Sequence, residues 1–332
     1  SVYYQESRVL TFEEFKKSRN LLPFRTFKTS NYGFVKNGAW LYSKVENRSQ
    51  INRWIIDIRS AQLQNVQIYI TSNGKLIQSD TDGIQNKTSP YPLPSFELDL
   101  PTNTTLEMYI YVNSSSMMLV APIYLQTYNQ QKTLLMLDFS IWGVFYGALV
   151  VLLLYAVTLI VYKSRLIGVV YIAHLFLILL FQLLWSGHTA LLFGWINTLF
   201  LYVRAESMVM VMSISVTLLN LLLIPSDMHG ARIRKVLKYL LYTNLFFFFA
   251  FFIPVFLPQV KITITYALVF AVLSINFATC INASINGFFP ARALLVGWIA
   301  SIIGSTLSAL FIFGILPSNP FHQHLFHFTL LL

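Results

Sequence analysis

Two patterns of apolar residues divide this chain. Up to about residue 133 they alternate with polar residues over short stretches. In residues 54–59, Trp54, Ile56 and Ile58 share one face while Asp57 and Arg59 share the other with Ile55, which predicts a half-buried strand. Residues 66–71 repeat the alternation and lead into Asn73-Gly74, a pair that accepts the positive φ angles of a two-residue hairpin turn. Residues 106–112 place Leu106, Met108, Ile110 and Val112 on one side and Glu107, Tyr109 and Tyr111 on the other. Nearer the start, Thr11-Phe12-Glu13-Glu14 has the spacing of a capping box and predicts a short helix to about Ser18. Short strands punctuated by Pro90, Pro92, Pro94 and Pro101 predict a β-sandwich over residues 1–130.

From residue 139 the apolar residues run in blocks. About 20 of them, at about 1.5 Å each, cross about 30 Å of hydrocarbon. The predicted spans are residues 139–162, 166–186, 199–224, 236–257, 262–285 and 293–316, with a seventh, incomplete, at 321–332; the helical membrane domain is then 131–332. Lys163 and Arg165 follow the first span, Arg232, Arg234, Lys235 and Lys238 the third, and Arg292 the fifth, whereas on the other side only Lys261 stands in a loop. Cationic loops stay in the cytoplasm, so the β domain is expected outside and the end of the seventh span inside. Trp142, Trp185 and Trp195 are expected near the outer interface.

Composition agrees with two solvents: 56% of the residues are hydrophobic and 11% charged. The net charge of +10 raises the question of nucleic acid, but no basic surface interleaved with aromatics and no nucleic-acid motif is present. Topology accounts for much of the excess. Cys280 is the lone cysteine, so neither an intrachain disulfide nor a cysteine metal site can be built. The chain starts at Ser1 and stops within an apolar run; the precursor is expected to carry an upstream secretion signal and a downstream continuation.

Ionisable groups inside a bilayer mark functional positions unless they are paired or reach the headgroups, which draws attention to Arg204 and Glu206 in the third span. Gln182 lies at nearly the same depth in the second span and His174 deeper, giving a candidate polar cluster; the competing reading is snorkelling for Arg204 and a packing role for Glu206. His322, His324 and His327 have no acidic or thiol partner nearby and read as interfacial histidines, not as a metal site. No nucleophile elbow, Walker loop or zinc-protease helix occurs, so no catalysis and no cofactor is expected in this segment. Gly143 and Gly147 permit close helix contact, within the bundle or in a homodimer. Asn244, Asn276 and Asn282 fit interhelical hydrogen bonding. In the β domain, Tyr69, Tyr109 and Tyr111 lie opposite the aliphatic faces and form a candidate aromatic platform for a sugar or similar ring, or else cover a second layer; Trp40 and Trp54 read as core. The sequons at Asn47, Asn86, Asn103 and Asn113 matter only in a eukaryotic secretory pathway.

The order of these parts resembles the bacterial seven-transmembrane receptors with diverse intracellular signalling modules. The resemblance covers nearly the whole chain and rests on Trp40-Leu41-Tyr42-Ser43-Lys44-Val45-Glu46-Asn47 followed by the Trp54 strand, on Pro94-Ser95-Phe96-Glu97-Leu98 and the strand at 106–112, and on Tyr146-Gly147 and Gly187. Asp82-Gly83 and Lys87 stand where the family pattern has a Gly-Asp turn and an arginine. The resemblance implies a jelly-roll sensor, similar to carbohydrate-binding modules, in the periplasm of a bacterial inner membrane protein. It also implies seven helices and a covalently attached cytosolic output module. The expected function is a signalling receptor whose ligand is a periplasmic small molecule or carbohydrate. The alternatives are a transporter or channel lined by the span-two and span-three polar residues, and an intramembrane enzyme.

Overall fold

The computed structural model describes residues 2–4, 9–23, 30–33, 35, 37–114, 119–162, 164–192, 205–228, 230–253 and 256–312. Arg204, Trp195, Lys163, the three histidines at 322, 324 and 327 and the seventh span lie outside them, as does the side chain of Glu206.

The β region forms two antiparallel sheets. The larger has the order β1 (Val2–Tyr4), β2 (Ala39–Glu46), β7 (Thr105–Asn113), β4 (Asn65–Ser72), β5 (Lys75–Asp82); the smaller is β6 (Ser95–Asp99), β3 (Arg53–Ile58), β8 (Ile123–Thr127). Leu41, Val66, Ile68, Ile70, Leu106, Met108, Ile110 and Val112 from the large sheet meet Ile56, Ile58, Phe96 and Leu98 from the small one in a single apolar core. Period-two alternation therefore delivers one face of each sheet to the core, as in a sandwich. The β4–β5 hairpin turns at Asn73 and Gly74, with φ of 50° and 77°, the left-handed values that a two-residue turn needs.

β3 departs from the half-buried strand expected of it. Ile55, Ile56, Asp57 and Ile58 are all buried, because the face bearing Ile55 and Asp57 is covered too. β3 is the middle strand of its sheet, and Asp57 is accommodated there only through paired hydrogen bonds.

Helix α1 (Phe12–Ser18) has the predicted capping box: Glu14 N–H donates to Thr11 Oγ1 and the Glu14 carboxylate accepts from Thr11 N–H. Its buried face is Phe12 and Phe15.

α2 (Tyr128–Tyr162) starts directly after β8, eleven positions before the expected span. A second capping box explains the start: Thr127 Oγ1 accepts from Gln130 N–H, and Gln130 Oε1 accepts from Thr127 N–H. At about 1.5 Å per residue, its 35 residues measure about 52 Å, well beyond about 30 Å of hydrocarbon. The remaining described helices are α3 (Arg165–Trp185), α4 (His188–Leu192), α5 (Ala205–Leu223), α6 (Ala231–Ala250), α7 (Pro258–Ile285) and α8 (Pro290–Ile312). Among the described residues four helices are long and apolar enough to cross a membrane, lying in α2, α3, α7 and α8, and Ser207–Leu223 in α5 is a shorter apolar helix. α6 begins earlier than the expected span, inside the cationic segment, and closes at Ala250.

The described residues fall into two compact units, one containing the β strands, the start of α2 and residues 183–192, the other the rest of the helices. In the second unit Trp142 is buried against Phe145 and Tyr146, so its ring packs inside instead of facing lipid. Lys261 is not a loop residue: it lies in α7, is 2% exposed, and donates from Nζ to the carbonyl of Phe251, the C-cap of α6. A cation on a helix C-terminal carbonyl is favoured by the helix dipole. Neither Gly143 nor Gly147 has a heavy atom within 4 Å of where its Cβ would stand, so no tight packing against the pair exists among the described residues.

Candidate functional site

The three tyrosines singled out by the sequence do come together, but not as an open platform. Tyr109 is 1% exposed and Tyr111 6%, because α1 lies over this face of the large sheet. Phe12 stacks on Tyr69 at 4.3 Å and meets Tyr109 edge-on at 5.4 Å, while Phe15 stacks on Trp40 at 4.7 Å. Phe12, Phe15, Trp40, Tyr109 and Tyr111 form a second apolar layer, with Tyr42 and Tyr69 partly buried at its edge. The capping box sets this covering, since it starts α1 with Phe12 and Phe15 on the sheet side. Trp40 thus belongs to this layer, and Trp54 packs partly buried on the main core. Tyr111 Oη donates to Asn37 O at 2.9 Å. Beside it Gly38, at φ of 80°, leaves no room for a Cβ, which would stand 2.6 Å from Val112 O and 2.8 Å from the Tyr111 ring.

At the open rim of this layer Glu107 collects donors. Tyr42 Oη donates at 3.0 Å, Tyr109 Oη at 3.1 Å and Thr71 Oγ1 at 3.4 Å, with Arg19 and Lys44 as ion-pair partners at 3.5 and 3.4 Å. Burial by itself raises the Glu107 carboxyl, but the tyrosine hydrogen bonds and the Arg19 charge outweigh it and hold the group below its ordinary value. Burial, then the hydrogen bond to Glu107, pushes the Tyr42 hydroxyl up to about 12. The Arg19 guanidinium lies 4.2 Å from the Tyr42 ring centre, a cation–π contact. This rim joins an aromatic face, a carboxylate and two cations, the chemistry that suits a polyhydroxylated or zwitterionic small molecule. Periodicity found the tyrosines; Arg19 and Glu107 were missed because their meeting joins residues 88 positions apart.

The outer face of the small sheet carries a different arrangement. Asp57, 4% exposed, accepts from Ser95 Oγ at 3.0 Å, Gln126 Nε2 at 3.0 Å and Arg59 Nε at 3.1 Å. Gln126 Nε2 also donates to Gln131 Oε1. A buried polar chain therefore runs from the central strand β3 through β8 to the first turn of α2. The Arg59 guanidinium carbon lies over the Tyr124 ring, 4.9 Å from its centre.

Nearby loops are equally fixed. Asp82, fully buried, accepts from Gly83 N–H at 2.8 Å, Thr88 N–H at 3.1 Å and Lys87 Nζ at 2.9 Å. Burial lowers the Lys87 ammonium, and the Asp82 charge opposes that. These two residues, which depart from the family pattern, thus pair and shape the loop before β6. Gly187, at φ of 79°, sits where a Cβ would be 2.5 Å from Pro92 O and 3.2 Å from Ala61 Cβ. His188 beside it stacks on Phe139 at 5.4 Å and bonds through Nδ1 to Ser186 Oγ at 2.9 Å. Asn47 is buried, donating to Ile51 O and Leu100 O at 2.7 and 2.6 Å, so the residue that ends the Trp40 strand is a loop tie.

Of the proposed intramembrane cluster, the described part is His174 and Gln182 on α3. His174 Nδ1 and Ser215 Oγ on α5 are 2.8 Å apart, and Ser215 donates to Met212 O, so the ring supplies the hydrogen from Nδ1. Gln182 is 0% exposed, and neither amide atom has a hydrogen-bond partner among the described residues. Arg204 and the Glu206 side chain lie outside the described residues. Asn220 Nδ2 on α5 approaches Asn276 O on α7 at 3.5 Å, and Asn282 Nδ2 donates to Met228 O at 2.8 Å. Asn244 donates within its own helix, to Leu240 O. Among the described residues no group of three or more His, Cys, Asp or Glu side chains has the arrangement of a metal site.

Two family descriptions match along the chain. Residues 1–127 match the 7TMR-DISM extracellular 2 family, and residues 138–332 match the family described as 7TM diverse intracellular signalling. No curated protein matches the chain. The boundary between the two matches falls within the first turns of α2, where the buried polar chain from Asp57 ends. The sandwich, the apolar helices and both matches give one conclusion: this multi-pass membrane protein belongs to the 7TMR-DISM family of receptor-like signalling proteins.

Proposed function

We propose that this chain is the input part of a bacterial receptor. Its β domain stands on the periplasmic side of the inner membrane and binds a carbohydrate or other small metabolite. Its helices bias an intracellular signalling module covalently attached to the same polypeptide. No catalytic step and no cofactor is assigned to these residues. The rim of Tyr42, Tyr69, Arg19, Lys44 and Glu107 is the surface assigned to the ligand. The observation that carries the reading is the chain Asp57–Gln126–Gln131, which ties the core of the β domain to a helix that continues without a break into the apolar region. A ligand shifts the arrangement of that helix only if it binds two arrangements unequally.

The test uses the full chain in lipid nanodiscs, a panel of glycans and small metabolites, and hydrogen exchange across residues 126–140. A saturable ligand is expected that changes exchange there, and Tyr42→Ala is expected to weaken its binding. Failure of the whole panel to bind, or binding with no change at the β8–α2 junction, overturns the proposal.

A second reading, a transporter, is favoured by Gln182, whose buried amide has no partner among the described residues. Such a group inside a bilayer costs free energy unless a passing solute or water meets it. Substrate flux in liposomes that is lost on Gln182→Leu or Glu206→Gln is the expected result under that reading; absence of flux returns the polar residues to a packing role.

A further inference from the structure

α6 begins on charge. Arg232, Arg234, Lys235 and Lys238 occupy its first two turns, no acidic residue stands in the first turn, and Gly230 provides no side-chain cap. A helix N-terminus already carries partial positive charge, so these cations oppose both it and one another. Among the described residues the ion pairs engage Glu46, Asp57, Asp82 and Glu107, and none engages these four cations. Arg234 Nε is buried with no hydrogen-bond partner among the described residues. The other membrane helices in which the first turn is described start with at most one cation, Arg165 on α3, Lys261 on α7 and Arg292 on α8.

The outward side of α6 is graded in chemistry. Arg232, Lys235, Tyr239, Tyr242, Phe246 and Phe249 follow one another at spacings of three and four, so they share one face, and all six are exposed. Leu237 and Asn244, on the opposite face, are buried, and the helix packs on α5 and α7. From Arg232 to Phe249 the axis rises about 26 Å, slightly more than one leaflet of a bilayer about 40–45 Å thick with its headgroups. With the cations at phosphate depth, the tyrosines and then the phenylalanines follow below them along the acyl chains.

We propose that this face of α6 is a binding site for an anionic phospholipid. The phosphate lies on Arg232 and Lys235 beside the unsatisfied N–H groups of the first turn, and the chains run along Tyr239, Tyr242, Phe246 and Phe249. The site needs positive charge beside a lipid-facing apolar strip, so a zwitterionic lipid fills the strip but brings no net charge to the cations, and free phosphate meets the charge but not the strip. The inference stands whichever way the β domain faces and does not depend on a ligand for it.

The test is equilibrium binding of fluorescent short-chain phosphatidylglycerol and phosphatidylcholine to the full chain in detergent. Phosphatidylglycerol is expected to bind the more tightly, less so at raised salt, with inorganic phosphate a poor competitor. Arg232→Gln/Lys235→Gln is expected to weaken phosphatidylglycerol binding by about tenfold or more, whereas Arg232→Lys/Lys235→Arg retains it, and Lys75→Gln on the β4–β5 hairpin leaves it unchanged. A thermal melt equal to that of the parent excludes misfolding, since both substituted side chains are exposed. Equal affinity for the two lipids, or an unaltered double variant, overturns the proposal. Displacement by phosphate as effective as by phosphatidylglycerol also overturns it, in favour of a free-anion site.

Discussion

Glu107 gathers five donors at the rim of the aromatic layer, and its carboxyl is held below the ordinary value although burial opposes this. A carboxyl whose folded pKa is depressed contributes stability in full above its unfolded value, about 4, and loses it as pH falls through the lower folded value. Acidification below about pH 4 is therefore expected to lower the melting temperature of the β unit, and Glu107→Gln to lower it at neutral pH while flattening that acid slope. Melting curves from pH 3 to 7 on the full chain and the variant check this; parallel slopes contradict it. Gly187 makes a sharper demand. Alanine there meets both a left-handed backbone, costing about 1–2 kcal/mol, and the Pro92 carbonyl at 2.5 Å. Gly187→Ala is expected to lower the melting temperature, whereas Gly74→Ala, strained but in open space, is expected to cost only the backbone term.

At the scale of elements, what the sequence made legible was local. The capping box at Thr11, the Asn73-Gly74 hairpin and the alternation of Leu106, Met108, Ile110 and Val112 all depend on residues within a few positions of one another, and all three stand as expected. The start of α2 is written in Thr127-Tyr128-Asn129-Gln130, but the apolar pattern that marks a span begins later, at residue 139. Asp57 was read as facing solvent because alternation says which residues share a face, not what covers that face. The burial of Tyr109 and Tyr111 depends on where α1 docks, and the pairing of Arg19 with Glu107 on a contact between distant segments, neither of which has a period. The placing of Lys261 similarly depends on a contact without a period, its bond to the carbonyl of Phe251 that caps α6. The cap of α2 offers a direct check. Thr127→Ala removes one acceptor for the first turn and is expected to cost about 1 kcal/mol, with faster hydrogen exchange at residues 128–131 and no change at the centre of the helix. Uniform exchange along α2 would show that its first turns are held by other contacts.

For the whole molecule, the two units each have a core of their own, so heat is expected to unfold the full chain in more than one step. Asp57→Ala tests which step belongs to the β unit. It leaves the Arg59 guanidinium, with 14% of its side chain exposed, without its carboxylate, and breaking a buried pair from one side costs about 3 kcal/mol or more. Only the β-unit transition is expected to fall. The chain from Asp57 to Gln131 allows a second and more informative variant. Gln126→Leu/Gln131→Leu removes both buried amides together, which avoids leaving one unsatisfied, so stability is expected to change little. Asp57 keeps Ser95 and Arg59 as partners, yet its hydrogen-bonded path to α2 is gone. If that path carries the signal, ligand affinity survives and the ligand-induced change in exchange across residues 126–140 disappears. If the change persists undiminished in the doubly substituted chain, the polar chain is a structural tie and the signal reaches α2 through the β8 backbone alone.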